Sequence, residues 1–202
     1  MTLSCIHSDV AAAGELDPLG DPRQGRKSKS RYTMRNETRI RPALLDDLDG
    51  IRKAYLASWR AGYAGILAPD ELDARAAIRA QYDWRSRIDN PNRVVLVAEQ
   101  QGTLVGVLEI EPDPKEANRL PWIAMLYVVP AVWGCGVAHA LTEAAVDLVR
   151  AAGRDAVWLS VLDVHARARR FYVKEGWQLA EPQGPLTKGQ FQRLYLRRAV
   201  LG

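Results

Sequence analysis

The chain has 202 residues, 48% of them hydrophobic and 26% charged, which suffices for one sizeable core and not for two. Its formal charge is +4, but residues 22–39 hold seven basic side chains (Arg23, Arg26, Lys27, Lys29, Arg31, Arg35 and Arg39) against the one acid Glu37, so the basic excess does not describe a nucleic-acid-binding surface on the remainder. The uncharged stretch from Leu120 to Thr142 is long enough to span a bilayer, but Pro121, Pro130, Gly134, Gly136 and His139 interrupt it, and the sequence is read as having no membrane helix.

Residues 1–33 are rich in Gly, Ser, Pro and charge and show no periodicity, so they are expected to form a flexible extension with a basic end, leaving residues 34–202 as one domain. No basic stretch precedes an apolar run there, and Asp9, Glu15, Asp17 and Asp21 interrupt it, so no secretory signal is expected. Cys5 and Cys135 give neither a disulfide framework nor a paired-cysteine metal spacing, and a reducing cytoplasm is the expected compartment.

Within the domain, a short strand is expected around Thr38 to Pro42. Asp46 and Asp47 open a helix whose apolar stripe includes Leu48, Ile51, Tyr55 and Leu56 and which ends near Trp59 to Gly62. Pro69, Asp70 and Glu71 start a second helix, with Leu72, Ala76 and Ile78 on its inner face, running toward Tyr82 and Trp84 and ended by Asn90 and Pro91. VVLVAE (94–99) and TLVGVLEIE (103–111) flank a Gln-Gln-Gly turn, a hairpin pattern. Ile123 to Val129 reads as a strand, Val137 to Ala152 as a helix closed by Gly153, and Ala156 to Val161 as a buried strand. Asp163 to Lys174 reads as a helix closed by Gly176, and Trp177 to Ala180 and Gln190 to Arg198 complete the sheet. This order predicts an α/β fold: a mixed sheet with helices on both faces.

The most informative string is LYVVPAVWGCGVAHAL, residues 126–141. A strand, a loop carrying Gly134, Gly136 and Ala138, and a helix start together make a phosphate-binding arrangement, because small residues let backbone N–H groups turn inward beside the positive end of the helix. The same glycines also fit a plain strand-to-helix connection. No Gly-x-x-x-x-Gly-Lys-Ser/Thr string exists, and the dinucleotide fingerprint lacks its third glycine at His139, so NTPase and Rossmann readings are disfavoured.

With LSVLDVHARARRFYVKEGW (159–177) and SWRAGYAGILAPDEL (58–72), this string gives the sequence a resemblance, across about residues 38–198, to the GNAT superfamily of acyl-CoA-dependent N-acyltransferases. Gly134, Gly136 and Ala138 match the small positions of the family's Arg/Gln-x-x-Gly-x-Gly/Ala loop, whereas Trp133 stands at a usual Arg position. Phe171, Tyr172, Gly176 and Trp177 match the FY-x-x-x-GF/W pattern, with His165 at a place usually held by Asn. The resemblance implies a mostly antiparallel sheet with one splayed parallel strand pair, and acetyl-CoA as the acyl donor.

It also implies roles. Tyr127, Val128 and Val129, with Ser160 to Leu162, would border the pantetheine arm; the loop Trp133, Gly134, Cys135, Gly136, Val137 and Ala138 would hold the pyrophosphate. An N–H near Val128 would stabilise the oxyanion, and Tyr172, otherwise a core aromatic of its helix, would protonate the leaving thiolate. His139 is either a phosphate contact or a surface histidine, and His165 either caps its helix or touches the pantetheine. Arg167, Arg169 and Arg170 are expected on a solvated face attracting the cofactor's phosphates.

An amine must shed a proton before attack, and Glu109, with Glu111 on the same strand face, is the candidate base; a solvated strand end is the competing reading. No Ser-His-Asp set or His/Cys metal cluster is apparent, the histidines being His7, His139 and His165. The expected function is transfer of acetyl from acetyl-CoA to a small-molecule or peptide amine by direct attack, in a monomer or homodimer. The alternative is a non-catalytic acyl-CoA-binding or sensing module.

Overall fold

Alternation of β-branched residues in the central segments builds one eight-stranded sheet in a computed structural model, which describes residues 37–111, 121–182, 185–188 and 190–200. The expected extension 1–33 and the segment 112–120 lie outside the described residues. The strands are β1 (Arg39–Pro42), β2 (Val94–Gln100), β3 (Thr103–Glu111), β4 (Trp122–Val128), β5 (Ala156–Leu162), β6 (Gln178–Leu179), β7 (Thr187–Lys188) and β8 (Phe191–Ala199). Their order is β1-β2-β3-β4-β5-β8-β6, with β7 paired to β8.

All neighbours are antiparallel except β4 and β5, which are joined by the crossover helix α4 (Val137–Ala151). Helices α1 (Leu48–Tyr63), α2 (Pro69–Ala80), α3 (Trp84–Ile88) and α5 (Ala166–Lys174) complete the fold. Among the described residues no helix is long and apolar enough to cross a membrane.

The two sheet faces carry different cores. Leu96, Ala98, Leu108 and Ile110 alternate with Val95, Val97 and Val107. The first set packs on Leu141, Ala145 and Val149 of α4, and the second on Ile51 and Tyr55 of α1 and Trp84 of α3. Because β2 and β3 are buried on both sides, their sequences are nearly continuous apolar runs. A third cluster, Trp59, Leu67, Ala76 and Phe191, fastens the β7–β8 hairpin onto α1 and α2.

Two expectations along the helices are corrected. The second helix does not continue to Asn90: α2 ends at Ala80, and Asp83 restarts the chain as α3 by accepting the Ser86 N–H at 3.1 Å. Ile78, expected inward, is 72% exposed, since only Ala76 of α2 is fully buried. The β2–β3 turn is as read, with Gln101 at φ 50° and Gly102 at φ 75°, the paired left-handed conformation that suits a two-residue hairpin.

One register slip shapes everything around it. Met125 lies opposite Glu109 while Ile123 lies opposite Ile110, so Ala124 is an extra residue in β4. Just there β4 and β5 separate: they pair at Trp122–Trp158 and Ile123–Leu159 and no further.

Close approach of α4 to the sheet requires Gly106, where a Cβ would lie 2.9 Å from Leu141 Cδ1 and 3.3 Å from the Tyr127 carbonyl oxygen. Gly106→Ala is expected to cost about 1–3 kcal/mol of stability through overpacking, measured by urea denaturation; an unchanged midpoint would refute this packing.

Candidate active site

Hydrogen-bond parity identifies the backbone groups left facing the gap. Val129 N–H donates to the Val105 carbonyl at 2.9 Å. Antiparallel pairs alternate between bonded and non-bonded, so positions 129, 127 and 125 bond to β3, and the N–H and C=O groups of Leu126 and Val128 point toward β5. On the opposite side Asp163 N–H donates to the Gln192 carbonyl at 3.0 Å, so Leu162 and Ser160 point toward β4. The two strand edges thus face each other across a wedge that no ladder pair bridges.

At the wide end of the wedge lies the glycine loop. Gly134 and Gly136 adopt φ 80° and 83°, a left-handed backbone that favours glycine, and an added Cβ at either would meet nothing within 4 Å. Gly136 is the N-cap of α4, with no side chain capping the first turn. The unpaired amides of that turn and the positive helix end therefore form an anion-binding terminus.

Wedge and loop open into one cavity of about 780 Å³, within the range of small-molecule and cofactor sites. Tyr127, Val128, Trp133, Gly134, Gly136, Val137, Ala138, His139, His165 and Tyr172 all line it. Val129 and Cys135 do not: the Val129 amide is committed to Val105, and the Cys135 N–H to the Val132 carbonyl at 3.2 Å. Cys135 is also not a free thiol.

Trp133, at the usual arginine position, has a cation beside it. Its indole N–H donates to the Val128 carbonyl at 2.7 Å, and the Arg167 guanidinium stands 3.3 Å from the ring centroid. Arg167 lines the cavity, so α5 brings a cation to the loop that lacks one.

Tyr172 is 8% exposed, with Phe171 and Trp177 edge-on at 5.2 and 5.6 Å. Burial raises its phenol above the ordinary value, and its hydroxyl makes no hydrogen bond among the described residues. His165 is the N-cap of α5 but makes no capping bond through its side chain; it meets Tyr63 edge-on at 5.1 Å. Burial and then Arg167 lower its pKa, which favours neutral imidazole.

His139 Nδ1 lies 2.6 Å from Glu175 Oε2. Together with Glu143 these residues place ligand atoms within 4.8 Å of one another, although Glu143 already pairs with Arg198 at 2.5 Å. Sequence spacing gave no sign of this cluster, whose members come from α4 and the end of α5.

Further side chains complete the lining. Ser58 of α1, Lys188 of β7 and Arg193 of β8 reach the cavity, and no periodic or motif signal marks the last two.

The sequence pattern of the Acetyltransferase (GNAT) family matches residues 49–177, the span that contains wedge, loop and Tyr172. The chain belongs to the GNAT acetyltransferase family. An uncharacterized N-acetyltransferase of Mycobacterium tuberculosis is 31% identical over 93 residues, 46% of this chain and 57% of that protein. One from Archaeoglobus fulgidus is 28% identical over 148 residues, 72% of this chain and 96% of that protein. Among solved structures, the PaiA N-acetyltransferase of Thermoplasma acidophilum in complex with coenzyme A matches with a TM-score of 0.67 at 20% identity, over 81% of this chain and 99% of that one. A GCN5-related N-acetyltransferase from Rhodopseudomonas palustris gives 0.64 at 21% identity, covering 80% and 94%. The GNAT sheet, with its one parallel pair at β4–β5, is the fold expected from the sequence.

The expected base requires a correction. Glu109 is fully buried and outside the cavity lining. Its Oε1 accepts from Arg87 and from Arg93 at 2.6 Å, and Arg93 also binds Glu111 at 2.7 Å. Period two correctly put both carboxylates on one strand face, but that face is closed by α3 and two guanidinium groups rather than open to an amine. Glu109→Gln would leave Arg87 and Arg93 without their buried counter-charge and is expected to cost about 3 kcal/mol of stability, measured by urea denaturation. Lost turnover at unchanged stability would restore Glu109 as a base.

Proposed function

We propose that this GNAT acetyltransferase transfers acetyl from acetyl-CoA to a primary amine by direct attack. The observation that carries the reading is the β4–β5 wedge, with the open glycine loop at one end and the unbonded Tyr172 hydroxyl along its wall. The coenzyme A seen in the Thermoplasma neighbour supports the donor.

Acetyl-CoA would supply an acyl group activated as a thioester. The amides of residues 134–138, with Arg167, would hold its pyrophosphate, and the inward-facing edges of Leu126, Val128, Ser160 and Leu162 would pair with its pantetheine arm. The Val128 N–H faces the wedge, whereas the Val128 carbonyl is occupied by Trp133. The amide is therefore left as a donor to an oxyanion developing there.

Tyr172 would donate its proton to the departing sulfur. Burial raises its pKa, so the phenol stays protonated throughout the physiological range and is available as the acid. Direct attack is favoured because Cys135 neither lines the cavity nor is a free thiol, and Ser58 Oγ already donates to the Ala54 carbonyl at 2.6 Å. With Glu109 enclosed, an amine arriving already neutral from solvent needs no protein base before attack; the proton that the nitrogen sheds as the tetrahedral intermediate collapses passes to water, and water returns the proton that Tyr172 gives to the sulfur.

The test is calorimetry of acetyl-CoA with the full chain. Saturable binding is expected, abolished by Gly134→Glu and Gly136→Glu in variants that retain native circular dichroism; no binding by the parent would overturn the proposal. Tyr172→Phe is expected to lower kcat by about 10²–10⁴ while acetyl-CoA affinity stays within about twofold; an unchanged kcat would remove Tyr172 as the acid.

The pH profile follows from the same assignment. A phenol raised above its usual pKa of about 10 keeps its proton as the amine loses one. The rate should therefore rise with pH and show no alkaline decline below about pH 10. A descending limb near pH 8 in steady-state rates would contradict Tyr172 as the proton donor.

A further inference from the structure

The β7–β8 hairpin ends with Lys188 opposite Phe191, and Phe191 is buried with Trp59, Leu67 and Ala76 against α1 and α2. That anchor brings the hairpin's cations to the α2 arginines. Lys188 and Arg193 line the cavity. Nearby, Arg79 lies over the Trp59 ring at 5.0 Å and donates to the Tyr55 hydroxyl at 2.7 Å.

None of these three cations has a carboxylate partner among the described residues, whereas Arg41, Arg60, Arg75, Arg93 and Arg198 all do. Burial, followed by the charges of Arg79, Arg193 and Arg75, pushes the Lys188 ammonium pKa below its ordinary value. Like charges gathered together repel one another, and an anion bound among them relieves that cost.

The cofactor's phosphates are not the natural occupant. The glycine loop and α5 lie on the α4 side of the sheet, in the core that contains Val137 and Tyr172. Lys188 and Phe191 sit with α1 and α2 on the other side. We propose that Lys188 and Arg193 recognise a carboxylate or phosphate on the acceptor, with Arg79, which lies outside the cavity lining, adding only positive charge from a distance; the acceptor is thus a small primary amine carrying an anionic group rather than a polyamine. The assignment rests on the transferase reading above and names the substrate class of that site.

The experiment measures free-thiol release from acetyl-CoA by the full chain with matched acceptors: amino acids, their carboxamides, aminoethylphosphonate and spermidine. Amino acids or aminoethylphosphonate are expected to exceed the carboxamides and spermidine by about tenfold or more in kcat/KM, the worth of one charge-assisted hydrogen bond; the better of the two anions identifies the group. Lys188→Met and Arg193→Met should collapse that preference by raising the acceptor KM while the acetyl-CoA KM holds within about twofold. Equal use of carboxamides, a preference for spermidine, or no transfer to any acceptor by a chain that binds acetyl-CoA would overturn the inference. Absence of acetyl-CoA binding would overturn the transferase reading and this assignment with it.

Discussion

One surplus residue in β4 organises the site. A β-sheet satisfies its backbone groups through neighbouring strands, and breaking that pairing normally exposes N–H and C=O groups at a cost. By placing Ala124 outside the register with β3, the chain turns β4 away from β5 after two paired positions. The freed groups are confined to a narrow wedge between two strands that remain paired on their other side, β4 to β3 everywhere but at Ala124 and β5 to β8 throughout. The sheet therefore holds an extended polar backbone surface in its interior without losing the cores on its two faces.

Around that wedge the chain distributes charge by sheet face. On the α4 side, a helix terminus and Arg167 offer positive potential to phosphates. On the α1–α2 side, Lys188 and Arg193 border the cavity. Between them lies an aromatic lining in which Tyr172 is dry enough to keep its proton. Buried carboxylates are kept elsewhere, and Glu109 is spent in tying α3 and the start of β2 to β3 through Arg87 and Arg93.

The legibility of these features in the sequence follows their physical origin. Strands, crossover helices and the Gln101–Gly102 turn were readable because periodicity and left-handed backbone leave local signatures. The loop was readable for the same reason, and the family resemblance implied Tyr127 to Val129 and Ser160 to Leu162, a span that includes wedge positions 128, 160 and 162 but not 126, which only the pairing with β3 reveals. Glu109 was misjudged because period two tells which residues share a face but not what covers that face, and β3 is covered on both. Ile78 failed because an apolar residue at helical spacing does not by itself locate the core, and α3 because a short helix restarted by one Asx cap has too few residues to show a period. Lys188, Arg193 and the part played by Arg167 are products of tertiary folding. A cation acquires its meaning from what the hairpin or helix carries it next to, and no local pattern records that.

The bond from the Trp133 indole to the Val128 carbonyl, with Arg167 lying on the same ring, joins three parts of the site: the loop before α4, the end of β4, and α5. The indole acts as a hinge pin. The strand end is held through one hydrogen bond, while the Arg167 guanidinium rests on the ring by a face contact worth only about 0.5–2 kcal/mol. Sliding the guanidinium off the ring therefore costs far less than disturbing any strand pair. Adjustment at the mouth of the site is thus cheapest in these two side chains, and the paired backbone of the wedge is the costlier part to move.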